Sequence, residues 1–458
     1  MQRNQPTGKA RLAPLGPVLL RVRRYRHIDR LIADWDTTPG KLRVARIILV
    51  IGVLLAGGVG LSAAISRNSA IYDITHRIAP LNTDVTTLYR SLADANATVT
   101  SAYLASGVPP TKLQQGYDQY VNTAASSLAD AGALGGQDEV TATGITGIDA
   151  ELPRYTGLVE RARANNRRGL PVGVAYLRRA SELMQTSILP EAEQLQQEQA
   201  SRLDAAYLRA GSIPVIALTS GAVSLAGLIW AQVFLFRRTH RVFNIGLVAA
   251  TGAVLIGLLW WTAAVAMSAG YLKSSSGHSR SVSEALGPAQ IVALKARAIE
   301  SLALVSHNGA ASEPDFDAKM QLLARHDKTD RPDDIGGALG AARKFALPDQ
   351  RPILDKAIRE AHDYSIAHTQ VRKLDDEGEY GSAIHAAIDA KPGSSATAFT
   401  ALDNTLATAV TQEQAAFDSD IGRAEDWLTG LTYGTGGLAV AAAVGVALGI
   451  RQRLEDYR

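Results

Sequence analysis

Four apolar stretches, roughly 47–65, 213–236, 245–267 and 428–450, divide the 458-residue chain into two long polar blocks. Each is long enough to cross, or nearly cross, a hydrocarbon core of about 30 Å at about 1.5 Å per helical residue. The tetrapeptide Gln197-Glu198-Gln199-Ala200 stands as far ahead of the second stretch as Gln412-Glu413-Gln414-Ala415 stands ahead of the fourth. The pattern therefore reads as one module written twice: a span, a polar block of about 150 residues and a returning span.

Within the first block, Ile71, Ile74, Ile78, Leu81, Val85, Leu88, Leu92, Ala95, Val99 and Ala102 recur in alternating steps of three and four. That 3.5-residue repeat is a heptad seam and predicts one helix of about 55–60 Å at about 1.5 Å per residue. Pro80 inside it predicts a kink or a lost hydrogen bond. Helical patterns follow over 111–133 and 137–164. A fourth starts near Gly173, with Leu177, Ser181, Met184, Ile188, Leu195 and Leu203 as its buried stripe, interrupted by Pro190. Four such helices, the outer two joined to spans, predict an up-down bundle.

The second block repeats the plan less cleanly. Ile291, Leu294, Ala298, Leu302 and Val305 form a stripe after Gly287-Pro288, and helices are predicted near 312–326, 335–346, 351–374 and 397–427. No strand-like alternation of useful length occurs. The expected fold is all-α: a multi-pass membrane protein with four transmembrane helices and two extracytoplasmic domains resembling four-helix bundles.

Charge sets the expected orientation. Arg21, Arg23, Arg24, Arg26, Arg30, Lys41, Arg43 and Arg46 precede the first span. Arg237, Arg238 and Arg241 lie between the second and third, and Arg451 and Arg453 follow the fourth. By the positive-inside rule these segments are cytoplasmic and both polar blocks face outward. The blocks carry net charges of −2 (66–211) and −7 (270–427), so the overall +3 hides a strong asymmetry. The expected layout is a tail over 1–45, spans over 46–65, 213–236, 244–268 and 428–450, outer domains over 66–211 and 269–427, a loop over 237–243 and an end over 451–458. Both termini of this plasma-membrane protein are then cytoplasmic. With no cysteine, disulfides and thiolate metal sites are excluded.

Candidate chemistry is sparse. From Pro17 to Trp35 a basic amphipathic helix is expected. Its arginines Arg21, Arg23, Arg24, Arg26 and Arg30 suit a cytoplasmic partner or anionic lipid, or serve only as the flank of the first span. Arg161, Arg163, Arg167 and Arg168 precede the Gly169–Gly173 turn, and Arg178 and Arg179 follow it. Six guanidiniums around one turn can bind carboxylates or an acidic protein face. Their alternative is a charged helix surface paired with Glu160 and Glu182.

The small residues Gly52, Ala56, Gly57, Gly58 and Gly60, and the pairs Gly430/Gly434 and Gly445/Gly449, either pack spans closely or reflect span composition. The four apolar stretches hold no Asp, Glu, Lys, Arg or His, which disfavours a transporter. His362 and His368 lie six apart on different helix faces. The acidic run Asp375–Glu379 lacks EF-hand spacing, and Asn96-Ala97-Thr98 matches a sequon inside the heptad helix. No metal, cofactor or nucleic-acid partner is expected, and the short cytoplasmic parts leave no room for an enzyme domain.

The layout resembles that of bacterial chemoreceptor sensing domains. More closely, the chain resembles the four-span (GlnX type) membrane proteins of the actinobacterial amino-acid sensing system. The resembling segments are Trp35-Asp36-Thr37-Thr38-Pro39-Gly40, Ala175-Tyr176-Leu177-Arg178-Arg179-Ala180-Ser181, and Ile188-Leu189-Pro190 with the two Gln-Glu-Gln-Ala repeats. The resemblance implies a non-enzymatic sensor or adaptor that receives a periplasmic amino-acid-binding lipoprotein outside and communicates with a Ser/Thr kinase inside. A structural scaffold of the envelope is the alternative.

Overall fold

The computed structural model describes residues 38–105, 111–239, 244–326, 335–346, 348 and 350–455. Helix dominates throughout. The chain opens with α1 (Thr38–Asp73), passes through a five-residue π turn (Ile74–Ile78) and continues as α2 (Ala79–Leu104). The heptad seam predicted for this segment is its buried face: nine of its ten positions are buried and Ile78 is half-buried.

Pro80 does not break the helix. A proline ring clashes with the carbonyl four residues back and offers no N–H. The π turn widens the helix just ahead of it, and Ala79 N–H reaches Ile74 O, five residues back. The same device recurs at Met184–Ile188 ahead of Pro190, and at Val282–Leu286 ahead of Pro288. Such single π turns are an established way to insert a residue into a continuous helix.

The rest of the first block is α3 (Thr111–Gly135), α4 (Glu139–Arg167), α5 (Val172–Leu183) and, beyond its π turn, α6 (Leu189–Gly211). Asp138 caps α4, accepting from Thr141 N at 2.9 Å. All six residues of the stripe predicted for the fourth helix are buried. After Ser212–Pro214 comes α7 (Val215–Thr239).

The second block begins as the first does. A 37-residue helix α8 (Ile245–Ser281) passes through its π turn into α9 (Gly287–Val305). Next come α10 (Gly309–Leu323), a two-residue antiparallel pairing of β1 (Arg325–His326) with β2 (Ile335–Gly336), α11 (Gly337–Phe345) and α12 (Arg351–Asp376). The sequence reading missed α13 (Tyr380–Ile388), whose nine residues are too few to show a period. Then α14 (Ser395–Asp426) leads to α15 (Leu431–Glu455). It carries neither proline nor π turn, and its cap Ser394 accepts from Thr397 N.

Four helical segments are long and apolar enough to cross a membrane. The chain forms two compact units. The apolar unit consists of the membrane-length parts of α1, α7, α8 and α15, around a core that includes Val53, Leu228, Leu247, Ala442 and Val446. Gly246 of α8 lies directly against Gly445 and Gly449 of α15. A Cβ at Gly246 would stand 2.6 Å from the Gly449 Cα, and Asn244 Nδ2 donates to Gly449 O at 2.7 Å. So one predicted glycine pair is a close helix–helix contact. Gly430 is different: its φ of +79° marks it as the turn between α14 and α15, with nothing near its Cβ position.

The polar unit is Leu61–Val215 with Trp260–Tyr433, so both polar blocks belong to one body. Its first core cluster runs from Leu81, Leu88 and Leu92 of α2 across to Ile291, Leu294 and Ala298 of α9 and on to Val371 and Ala383. A second cluster around Phe316, Leu339, Leu354, Tyr364 and Leu402 fills the second block.

Candidate functional site at the seam between the polar blocks

Helix α2 packs along α3 on one side and along α9 on another, which makes α2–α9 the main seam between the blocks. Most of it is apolar, so its polar groups stand out. Tyr89 Oη donates to Glu193 Oε2 at 3.0 Å. Lys295 Nζ donates to Tyr89 Oη at 3.2 Å and lies 3.5 Å from the same Glu193 oxygen. These three line a groove of about 400 Å³ with Gln196, Gln197 and Asp204 of α6 and Glu284 and Pro288 of the second block. Arg280 closes one end, pairing with Asp204 at 3.0 Å and Glu284 at 3.5 Å. Burial lowers the Lys295 pKa, partly offset by Glu193. Acidic, basic and amide groups thus converge on one cleft, the type of surface that orients a small polar ligand.

Beside the groove, Arg90 of α2 lies between two carboxylates, 3.4 Å from Asp94 and 3.6 Å from Asp403 of α14. Asp94 is buried. Burial and the neighbouring Asp403 push its pKa up to about 7 against the pull of Arg90. Asp403 is raised too, chiefly by burial. One guanidinium cannot hold both carboxylates fully ionised at this depth. Further along the seam, the buried hydroxyls of Ser101 and Ser301 share a hydrogen bond of 2.9 Å.

A second cluster lies wholly inside the second block. Glu300, 1% exposed, accepts from Arg297 at 2.5 Å, His368 Nδ1 at 2.9 Å, Ser395 Oγ at 2.7 Å and Tyr364 Oη at 3.3 Å. His368 Nε2 reaches Glu313 at 3.2 Å. Arg372 extends the network to Asp375 and Asp376, so the acidic run seen in the sequence is ion-paired at its helix end. Burial opposes charge on His368, but Glu300 and Glu313 overcome it and raise its pKa to about 9. Burial likewise opposes charge on Glu300, but Arg297, His368 and Ser395 hold its carboxyl well below the usual range. The cluster pins α9, α10, α12 and the start of α14 together. No group of three or more His, Cys, Asp or Glu suited to a metal occurs among the described residues.

The arginine turn lies beside the C-terminal end of α2, where Tyr103 stands over Gly173, opposite the end where α1 and α6 leave the polar unit. It does not present all six guanidiniums alike. Arg163 turns inward over the Tyr117 ring at 4.2 Å, pairing with Glu160 at 2.9 Å and Asp118 at 3.4 Å. Arg179 pairs with Glu182 at 2.9 Å while staying exposed. Arg161, Arg167, Arg168 and Arg178 are exposed around the exposed Leu170 and Val172. Arg21, Arg23, Arg24, Arg26 and Arg30 fall outside the described residues. Asn96 is buried and donates to Ser181 Oγ, so it is inaccessible to glycosylation in the folded chain.

The sequence reading missed the seam groove and the Glu300 network. The first Gln-Glu-Gln-Ala repeat was a signal for the groove, since its Gln197 and Ala200 line it. One further residue matters near the spans. Arg67, 6% exposed, donates to Ser212 O at 3.1 Å and Ser268 Oγ at 3.0 Å. It thereby satisfies a carbonyl freed where the backbone breaks between α6 and α7.

These features define a helical protein with four membrane-length spans and a polar body built from two packed helical blocks. Residues 70–208 match the family model described as Actinobacterial sensor domain. The match covers the first block from the end of α1 to near the end of α6, including Tyr89, Glu193, Gln196 and Gln197 on one side of the groove. It supports an actinobacterial sensor protein with a sensing role. No curated protein and no solved structure matches the chain.

Proposed function

We propose that the chain is a non-enzymatic transmembrane sensor whose polar unit faces outward, with both termini cytoplasmic. The single observation that carries this reading is the sensor-domain match over helices that run, through a π turn, out of a membrane-length span. An event at the polar unit then biases helix packing, and α1 and α8 pass that bias inward as a small shift. Arg67 is the residue placed to couple the ends of α1, α6 and α8, since it bonds to groups on the other two segments.

The exposed arginines Arg161, Arg167, Arg168 and Arg178 suit an acidic face on an outer partner, in this reading a periplasmic amino-acid-binding lipoprotein. Arg163 supports the turn rather than the contact. Inside, the basic tail offers Arg21, Arg23, Arg24, Arg26 and Arg30 to anionic lipid headgroups of the bilayer and to a cytoplasmic Ser/Thr kinase. The charge asymmetry across the spans supports this orientation. The common opening of the two blocks, long helix, π turn and proline, supports an internal duplication.

Crosslinking in cells followed by identification of partners on each face tests the reading. Recovery of a solute-binding protein and a kinase is the expected result. Recovery of wall-synthesis proteins alone overturns it in favour of an envelope scaffold.

A further inference from the structure

An apolar groove of about 420 Å³ opens among the arginine-bearing ends of three spans in the apolar unit. Its lining includes Ala45 and Ile48 of α1, Gly227, Trp230 and Phe234 of α7, and Ile450 of α15. The Trp230 ring is stacked on Phe234, with centroids 5.5 Å apart, yet 64% of the residue is exposed. In a span, a cleft between helices cannot stay empty or hold water at low cost, because its walls offer water no polar partner. The surrounding solvent at this depth is acyl chain.

Charge at the rim selects among lipids. Arg237 follows Phe234 by three and Trp230 by seven residues, so it sits on the groove face of α7. Arg46 precedes Leu49, another lining residue, by three on α1. Neither arginine has an acidic partner among the described residues. A guanidinium fork matches a phosphodiester geometrically and keeps its charge in every environment.

We propose that this groove is a binding site for one anionic phospholipid, with an acyl chain between α1, α7 and α15 and its phosphate on Arg46 and Arg237. The site differs from the basic tail, since it holds the lipid by a chain seated between helices as well as by headgroup charge. Gly227 sets its depth. A Cβ built there meets only Leu49 Cδ2, at 3.5 Å, so a larger side chain enters the groove rather than displacing backbone.

Native mass spectrometry of the full chain in detergent, with phosphatidylglycerol and phosphatidylcholine of the same chain length as probes, tests the site. The expected result is one tightly retained phosphatidylglycerol per chain, in preference to phosphatidylcholine. Arg46→Gln with Arg237→Gln lowers that preference roughly 30-fold, taking about 1 kcal/mol per basic group at an anionic surface. Gly227→Leu removes the retained lipid of either kind while leaving both arginines in place. Equal retention of the two lipids by the unsubstituted chain overturns the proposal. So does an unchanged preference in the double variant, or full retention in Gly227→Leu.

Discussion

Raising the pH from 6.5 to 9 tests whether the Glu300–His368 network holds the second block together. His368 has an ordinary pKa of 6.5 and is raised to about 9 in the fold. A group whose pKa is raised on folding contributes stability that is fully present below its unfolded value and lost as pH climbs through its folded value. The window is therefore pH 6.5 to about 9. A shift of this size corresponds to about 3 kcal/mol. Solvent screening does not discount it heavily, because His368 and Glu300 are 3% and 1% exposed. Glu313 is more open, so solvent screens its share of the shift more than that of Glu300. Asp94 does not confuse the result, since its raised pKa makes stability fall between about pH 4 and 7, mostly below this window.

The assay is thermal unfolding of the full chain in detergent at pH 6.5, 7.5 and 9, beside His368→Gln. For a body of this size, 3 kcal/mol is worth roughly 3–5 °C of melting temperature. The unsubstituted chain is expected to lose that much more than the variant across the window. Parallel pH curves for the two proteins would refute the reasoning.

Three further outcomes follow from the same structure. Asp94→Asn flattens the fall in stability between about pH 4 and 7, because it removes the carboxyl that burial and Asp403 push upward; denaturant titrations at stepped pH read this. Arg67→Met leaves the Ser212 carbonyl without its donor and costs about 1–3 kcal/mol, read as a lower unfolding midpoint. Gly246→Leu cannot be seated against Gly445 and Gly449, so it separates α8 from α15 and costs about 1–3 kcal/mol or more, measured by loss of spectroscopic structure on titration with denaturing detergent.

The framework was legible because spans and heptad seams are long patterns. Nine of ten seam residues on the first long helix are buried, and all six stripe residues of the fourth helix are too. Pro80 predicts a disturbance from sequence alone, and a π turn absorbs it, a change of backbone register that has no side-chain signature. The seam groove was hidden for another reason. Tyr89, Glu193 and Lys295 are up to 206 residues apart, and each reads locally as a polar residue on an amphipathic helix. Arg163 and His368 show the same limit: which face a charged residue takes depends on partners such as Tyr117 or Glu300 that only tertiary packing supplies. The arginine turn was legible as a cluster, but not as four outward arginines, one inward and one paired on the surface.

The two polar blocks form one body along the α2–α9 seam. Ser101 and Ser301 sit across that seam with their hydroxyls 2.9 Å apart, and the chain has no cysteine to compete. Ser101→Cys with Ser301→Cys, oxidised mildly in native membranes, should form an intramolecular disulfide in most molecules, seen as a shifted band that reductant reverses; a distance of that order suits the bond. Cysteines that stay reduced under conditions that oxidise an accessible control pair would contradict the account.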